Sequence, residues 1–396
     1  MFDIYNIKRS DLYVLICVFF AAVVSLLSDS INAIALYAVL PSAFIVTFLD
    51  TKRIFVEKYF NLLTILYIWI LISTLWATDI DVALVHLKQC LGSFILCYII
   101  AVKAKDIRNI EFLYLLFIVI LLMDWYYAYN NIFNVIELGV ERLNDKKLNA
   151  NTLAYHTFYA TFAIYMLGEI SFNRKTIYAI LFLLMLPLSF FTAIYTASRQ
   201  VLIIQLPLIL ILLYIRYLKN NTISKKLQFS FITILVSLAI LPFVIDTYDN
   251  SYLKERNELN IEDGSRMKLA KDAIKVGLDY FPLGVGPNNY VVHSYNKHFS
   301  HNTYTELFAN EGIIGLVIYL VIVFGFVIEQ WKTYSMYDDD IYLAFFWGGV
   351  FFIIDGFFYS FYQHLWLISF LILITTHSKT HYETSLVSKR FFDKPL

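Results

Sequence analysis

The residue of this chain best suited to proton transfer is His301, which lies at the end of its longest polar stretch. An apolar run begins directly after it, and titratable residues at such a boundary are costly enough to suggest a function. The pattern Thr303-x-x-Glu306 is a capping box, which predicts that a helix begins at about Thr303. A helix N-terminus disfavours positive charge, so we expect a neutral imidazole that can act as a general base. The alternatives are an interfacial histidine that bonds a loop and, for Glu306, the cap alone.

Three arginines have the chemistry to bind a phosphate group. Arg199 lies between two apolar runs with almost no loop, Arg266 opens a predicted helix, and Arg142 lies in a shorter polar segment. A guanidinium binds phosphate oxygens bidentately, so these positions predict a site for an anionic phosphate ester. The alternative for Arg199 is a side chain that extends to the lipid headgroups. For the other two it is pairing with neighbouring carboxylates.

The composition around these residues is that of an integral membrane protein. Apolar residues make up 59% of the chain and charged residues 16%, against roughly 45–50% and 25% in soluble domains. The zero formal charge gives no reason to expect a nucleic-acid partner. A membrane-spanning helix needs about 20 mostly apolar residues. This criterion predicts an all-α protein with about twelve spans, at residues 11–28, 31–49, 60–77, 82–102, 110–129, 151–170, 176–196, 200–217, 228–246, 308–329, 341–357 and 359–376.

Most of the basic residues fall in every second predicted loop. The positive-inside rule makes that side cytoplasmic, with both termini on it, and leaves two external segments at about 130–150 and 247–307. We therefore divide the chain into spans one to nine at 1–246, an external loop with the catalytic elements at 247–307, and spans ten to twelve with a cytoplasmic tail at 308–396. This topology brings the three arginines and His301 to one membrane face.

We expect the long external loop to pack across the mouth of the bundle, and it contains a predicted helix from Arg266 to Phe281. Its apolar residues recur at helical spacing at Met267, Ala270, Ile274, Leu278 and Phe281. Its basic residues lie together on another face at Lys268, Lys271 and Lys275. Pro282 ends the helix, and residues 283–289 form a predicted tight turn.

The cysteines and acidic clusters offer no metal site. Cys17, Cys90 and Cys97 fall within predicted spans, where we expect them to pack as small apolar side chains without disulfides. Because no His, Cys or Asp grouping has metal-ligand spacing on the external side, we predict no metal and no cofactor. The acidic run at 338–340 lies on the cytoplasmic side, where helix capping is the better interpretation.

Four motifs resemble the O-antigen ligase and polymerase superfamily of bacterial envelope proteins. The resemblance spans the whole topology and is sharpest from Ala197 to Gly315. The motifs are Ser198-Arg199 at the start of a span, Gly264-Ser265-Arg266 leading to Pro282-x-Gly284-x-Gly286, His301-Asn302-x-Tyr304-x-Glu306 followed by Glu311-Gly312 and Gly315, and Arg142 with Asn149-Ala150-Asn151 and Leu153-Ala154.

The resemblance implies a glycosyltransferase of the bacterial inner membrane that acts on the periplasmic side and needs no metal. Such enzymes move a glycan from an undecaprenyl-pyrophosphate carrier to an acceptor hydroxyl. Carried onto this chain, His301 is the general base that deprotonates the acceptor. Arg199 and Arg266 bind the pyrophosphate and stabilise its departing charge. Further substrate contacts are implied at Arg142, Asn302 and Glu306.

The resemblance leaves the acceptor open. We expect an O-antigen ligase, which transfers the glycan to lipid A-core in lipopolysaccharide biosynthesis. A polysaccharide polymerase of the same fold shares the donor and the base, and differs in using a second carrier-linked glycan as acceptor. A transporter or lipid-linked sugar flippase is the alternative from another class. Asp124 and Asp355, two carboxylates inside predicted spans, support it because they suit a proton path.

Overall fold

The computed structural model is all-helical. It describes residues 8–24, 29–138, 150–171, 174–196, 198, 200–219, 221–224, 226–228, 230–231, 242, 245–246, 248–249, 254, 263–295, 297–359, 362 and 364–392. Within these residues every regular element is a helix, so the predicted all-α class is confirmed.

Outside residues 247–307, the long α-helices overlap the predicted apolar runs, and several extend well beyond them. The α-helices are α1 (Arg9–Val24), α2 (Asp29–Ile34), α3 (Leu40–Thr51), α4 (Lys58–Ser73), α5 (Ile80–Lys103), α6 (Ile107–Leu138), α7 (Ala150–Ile170), α8 (Lys175–Thr196), α9 (Leu206–Leu213), α10 (Asp263–Asp279), α11 (Tyr290–His293), α12 (Thr303–Tyr337), α13 (Asp340–Asp355) and α14 (Leu365–Phe392). Short π-helical segments join α2 to α3 and extend α9 at both ends.

Several of these helices have the length and composition to cross a membrane. Among the described residues there are six such stretches, at Asn32–Thr51, Lys58–Trp76, Ile80–Lys103, Lys175–Thr196, Val201–Lys219 and Thr303–Tyr337. Each coincides with a predicted span. The span predicted at 228–246 lies almost wholly outside the described residues. The chain is therefore a membrane protein, while the total of about twelve spans and the external loop stay predictions.

The chain forms two compact units. The first contains Met1–Leu113, Asp263–Lys332 and Phe352–Leu396, and the second contains Tyr114–Glu262 and Thr333–Phe351. The segments around His301 and Arg266 therefore belong to the first unit. The division proposed from the sequence, at 246 and 307, follows the expected membrane topology and stays a prediction.

In the first unit, α5 packs against α3, α4 and α14. The ring of Tyr98 on α5 lies 4.9 Å from that of Phe44 and 5.7 Å from that of Phe60, measured between centroids. At the end of α5, the ammonium group of Lys103 is buried and pairs with the Asp11 carboxylate at 2.6 Å. A buried charge needs such a partner, so this pair fixes α1 against α5.

In the second unit, α7 packs against α8 and the helical segment that follows α8. The buried amide of Gln205 joins all three, because its Nε2 donates to Thr161 Oγ1 at 3.0 Å and to Ser189 Oγ at 2.7 Å. Polar side chains inside a membrane bundle are satisfied by bonding across helices in this way.

The acidic run before α13 has the capping role predicted for it. Oδ1 of Asp339 accepts a hydrogen bond from the backbone N–H of Ile341 at 3.1 Å. The flanking carboxylates of Asp338 and Asp340 pair with the ammonium group of Lys219 at 3.2 and 2.5 Å. These contacts confirm a structural interpretation of the run.

The helix predicted in the long loop is present as α10, followed by a turn through Pro282. The face that packs against the protein is not the apolar one that its periodicity picks out. Ala273 and Val276 are buried, whereas Ile274 and Leu278 are 42% and 62% exposed. The helix therefore packs through small side chains, which let it approach its neighbours closely, and leaves its large apolar residues uncovered.

Candidate functional site

His301 forms the turn that leads into α12. Its φ is 54°, in the left-handed region that histidine adopts more readily than most residues, and its side chain is half-buried. Two residues later α12 begins at Thr303, as the sequence predicts. The candidate base thus sits in a sharp turn at the N-terminus of a long apolar helix, where the backbone dipole disfavours a positive charge.

The cap of α12 is Asn302 and not the predicted Thr303. Oδ1 of Asn302 accepts hydrogen bonds from the backbone N–H groups of Tyr304 at 3.0 Å and Thr305 at 3.1 Å. These bonds satisfy two of the amide groups that a helix start leaves unpaired. The capping box expected from the sequence is therefore wrong in register by one residue, although the helix start is right.

Glu306 closes the turn around His301 from the other side. Its carboxylate is fully buried, and Oε2 accepts from the backbone N–H of Ser300 at 3.0 Å and lies 2.9 Å from its hydroxyl. The capping box would have directed this carboxylate to Thr303 instead. Its observed contacts tie residue 300 to residue 306, so that the intervening turn is held on both flanks.

Thr303 is occupied by contacts from a distant part of the first unit. Its N–H donates to the carbonyl of Gly356 at 2.8 Å, and its hydroxyl donates to the carbonyl of Tyr359 at 2.5 Å. The hydroxyl of Tyr304 donates to the carbonyl of Ile353 at 2.7 Å. These three bonds anchor the start of α12, and with it His301, on the end of α13 and the residues that follow it.

α12 is broken at Gly312, where φ is 65° and ψ is −166°. Such a break frees carbonyl groups from the helical hydrogen-bonding pattern, and buried carbonyls need other donors. The segment after α10 supplies them. The N–H groups of Val285 and Gly286 donate to the carbonyls of Ala309 and Asn310 at 2.9 and 2.8 Å. The N–H of Ile313 donates to the carbonyl of Pro282 at 3.0 Å. We call this contact of residues 282–286 with residues 309–313 the glycine interlock.

Two glycines are required for the glycine interlock to close. Both have a positive φ, 74° at Gly284 and 65° at Gly312, which side-chain-bearing residues rarely adopt. A Cβ atom at Gly284 would lie 2.5 Å from the carbonyl oxygen of Asn310, and one at Gly312 would lie 2.0 Å from that of Pro282. These neighbours are backbone atoms that cannot move aside. The glycines of two motifs far apart in sequence therefore serve one contact.

The glycine interlock extends into a small core that holds α10 against α12. Ala273, Val276, Val285, Tyr290 and Ala309 form one buried cluster. A Cβ atom at Gly277 would lie 2.4 Å from the ring of Phe308, so the two helices are in close contact there.

Tyr290 links α10, α11 and α12 through hydrogen bonds. Its N–H donates to Oδ1 of Asn310 at 2.7 Å, and its hydroxyl donates to the carbonyl of Leu269 at 3.0 Å. Burial raises the pKa of this phenol, and the nearby Asp272 carboxylate raises it further. Tyr290 therefore stays a neutral donor at physiological pH, and the link it makes is present throughout that range.

The first unit contains four of the six residues predicted for the site. Arg266 lies in the first turns of α10 and is half-buried, and His301, Asn302 and Glu306 surround the start of α12. The glycine interlock holds these two helices together. Arg142 and Arg199 lie outside the described residues, so their predicted approach to His301 stays a prediction.

One buried acid at the break in α12 was given no role by the sequence reasoning. Glu311 is fully buried, Ser73 Oγ donates to its Oε2 at 2.5 Å, and its backbone carbonyl accepts from Trp69 Nε1 at 2.9 Å. These bonds attach the break to the end of α4. The sequence does contain a signal that could have identified Glu311, because this carboxylate lies shortly after the start of an apolar run and next to a glycine.

The described residues provide no obvious metal site. They contain no cluster of three or more His, Cys, Asp or Glu side chains that could hold an ion. The three cysteines are free and buried, as predicted for small apolar side chains in helices. Asp124, which the sequence offered as a proton-path residue, is buried and bonded to Nδ1 of His156 on α7.

Comparison with known proteins finds one family. Residues 180–320 match the model of the family described as O-antigen ligase. The matched region contains Arg199, Arg266 and His301 together with both halves of the glycine interlock. No curated protein matches the chain. The resemblance is thereby confirmed for residues 180–320, and it indicates enzyme activity in glycan biosynthesis, with glycan and lipid substrates in general. The motif around Arg142 lies outside the matched residues, so its resemblance stays a prediction.

Proposed function

We propose that this protein is a membrane glycosyltransferase of the O-antigen ligase type, because its residues 180–320 match the family model described as O-antigen ligase. It moves a glycan from undecaprenyl pyrophosphate to a hydroxyl of lipid A-core on the periplasmic side of the bacterial inner membrane. The observation that supports the proposal most is the glycine interlock. It fixes the helix that carries Arg266 against the helix that begins beside His301.

In this proposal His301 is the general base. It removes the proton from the acceptor hydroxyl as the oxygen attacks the anomeric carbon, and the bond to the carrier pyrophosphate breaks. Its half-buried position in a turn held by Asn302 and Glu306 supports this role, because a base must be held within hydrogen-bonding reach of the proton that it takes.

Arg266 and Arg199 bind the pyrophosphate and stabilise the charge that develops on it, and Arg142 is a secondary contact. A pyrophosphate is already a good leaving group, so fixed positive charge and one base suffice for the transfer. The observed bonds of Asn302 and Glu306 hold the turn of His301. A substrate contact of Asn302 or Glu306 would be a second role of that side chain, beside holding this turn.

The test is reconstitution of the purified protein with an undecaprenyl-pyrophosphate glycan and one of two acceptors, lipid A-core or a second carrier-linked glycan. We expect a single-step shift of lipid A-core on a gel, which His301→Ala abolishes. His298→Ala is the matched control, since His298 is an exposed histidine of the same segment, and it should leave transfer near the parent level.

Two outcomes would replace this proposal. A ladder of longer carrier-linked glycans with the second acceptor would identify a polymerase of the same superfamily. Loss of activity in Asp124→Asn together with full activity in His301→Ala would favour the transporter alternative. In that case the bond between Asp124 and His156 would belong to a proton path instead of to the packing of α6 on α7.

A further inference from the structure

α10 presents an uncovered apolar surface beside a candidate membrane span. Met267, Ile274 and Leu278, which we call the apolar strip, are 59%, 42% and 62% exposed. They lie at positions i, i+7 and i+11, along one line of the helix. Apolar side chains aligned in this way on an exposed helix mark an interaction surface.

A second row of side chains runs alongside the apolar strip. Lys268, Lys271 and Lys275, which we call the lysine strip, are all exposed and lie on the neighbouring face. The opposite side of the helix, with Ala273 and Val276, is buried against the protein. Around its circumference α10 thus shows a packed face, an apolar face and a basic face.

The position of α10 in the first unit favours a lipid partner. The helix contacts Phe308 through Gly277, at the point where the apolar run of α12 begins. A helix attached at the end of a membrane span lies at the level of the lipid headgroups. Helices with an apolar face and a lysine-rich face lie in the plane of the bilayer surface, where the apolar side chains enter the acyl boundary and the lysines attract anionic lipids.

We propose that α10 is an interfacial helix that docks on the lipid leaflet at the His301 end of α12. The apolar strip enters the acyl boundary, and the lysine strip binds the phosphates of anionic phospholipids. Asp272 and Asp279 lie on the far side of the lysine strip from the apolar strip, and Asp272 is held by Tyr290 and by the N–H of Tyr295. The docking holds the start of α10 at headgroup level. If the proposed function is right, Arg266 then meets a lipid-linked pyrophosphate at the height where it lies.

The test measures the depth of single labelled positions in vesicles. Ile274→Cys and Leu278→Cys place an environment-sensitive fluorophore on the apolar strip, and Tyr295→Cys is the matched control, because Tyr295 is 92% exposed on the same segment. The native cysteines are buried, and the parent protein treated with the same reagent gives the background. Vesicles consist of phosphatidylcholine alone or mixed with phosphatidylglycerol.

We expect labels on the apolar strip to be quenched by lipids spin-labelled in the acyl chain and to be several-fold less accessible to aqueous iodide than the label at Tyr295. The phosphatidylglycerol vesicles should strengthen this difference, and replacement of all three lysines by glutamine should remove the strengthening. The measurement does not depend on glycan transfer, so it can fail or succeed independently of the proposed function.

Three results would overturn the proposal. Equal iodide access at Ile274 and Tyr295 would mean that the apolar strip faces water. Protection from both quenchers would mean that a second copy of the chain or another protein covers it. Insensitivity of the labels to phosphatidylglycerol, or to the lysine replacements, would remove the role of anionic lipid.

Discussion

Replacement of Gly312 by alanine is the sharpest test of the glycine interlock. The backbone there has φ 65° and ψ −166°, a combination that is essentially confined to glycine and costs about 1–3 kcal/mol for other residues. The added Cβ atom would also lie 2.0 Å from the carbonyl oxygen of Pro282, so the bond from Ile313 N–H to that oxygen must break. A lost buried hydrogen bond adds about 1–3 kcal/mol. We therefore expect a destabilisation of about 2–6 kcal/mol, which reaches the upper end for single substitutions.

Gly325→Ala is the matched control for this substitution. Gly325 lies in the same helix, and a Cβ atom there would meet its nearest neighbour, the ring of Tyr59, at an ordinary 3.7 Å. Alanine in a helix interior is favoured over glycine by about 0.5–1 kcal/mol, so this variant should match or exceed the parent in stability.

The assay heats detergent-purified protein and then measures its size-exclusion peak. The midpoint is the temperature at which half of the peak is lost. Gly312→Ala should lose the peak well below the parent, and transfer activity should fall with it because Arg266 and His301 lose their common support. If Gly312→Ala and Gly325→Ala have the same midpoint, the close contact between residues 282–286 and 309–313 does not exist in the protein.

Five further substitutions, at three positions, separate the contacts around the site. Asn302→Ala should lower stability by about 1 kcal/mol through loss of the cap. Asn302→Asp should keep the stability, so that a fall in its transfer activity alone would indicate a substrate contact. Tyr290→Phe should cost about 1 kcal/mol, because the carbonyl of Leu269 loses its donor, and a thermal midpoint equal to that of the parent would contradict this. Glu311→Gln should retain the bond from Ser73 and the parent midpoint, whereas Glu311→Ala should cost about 2 kcal/mol or more by leaving a buried cavity and removing the bond from Ser73 to the carboxylate.

The glycine interlock brings two motifs that are distant in sequence into contact in space. Pro282-x-Gly284-x-Gly286 and Glu311-Gly312 contain no side chain suited to proton transfer except the buried carboxylate of Glu311. Three hydrogen bonds join the backbones of the two motifs, and Gly284 and Gly312 permit the close approach. These residues therefore act on the proposed chemistry by positioning, and they contact no reacting atom themselves.

The choice of cap on α12 shows where sequence reasoning about the site reached its limit. Asn302 and Thr303 are both good capping residues, and a glutamate follows Thr303 at the spacing of a capping box. Contacts from outside the helix determine which residue is the cap, because Thr303 donates its N–H to the carbonyl of Gly356 and its hydroxyl to the carbonyl of Tyr359. Asn302 then caps the helix, and Glu306 is left to bind Ser300.

The sequence could not predict the packed face of α10 or the break in α12, and the reasons are related. Periodicity identifies an apolar face, but it cannot distinguish burial in protein from contact with lipid. Glycine is common in membrane helices, so Gly312 alone does not predict a break. Both features depend on residues 282–286, which pack against α12 and supply donors to its freed carbonyls.

Apolar run length, capping residues and motif spacing are local properties of the chain, and they were enough to predict the membrane class, the approximate positions of the long helices, the start of α12 and the resemblance to the superfamily. Long-range contacts determine which residue caps α12, which face of α10 is covered, and how the helix with Arg266 is held against the helix that begins beside His301. Those outcomes depend on backbone groups that are far apart along the chain and compete for the same donors and acceptors, and no local pattern encodes which of them will meet.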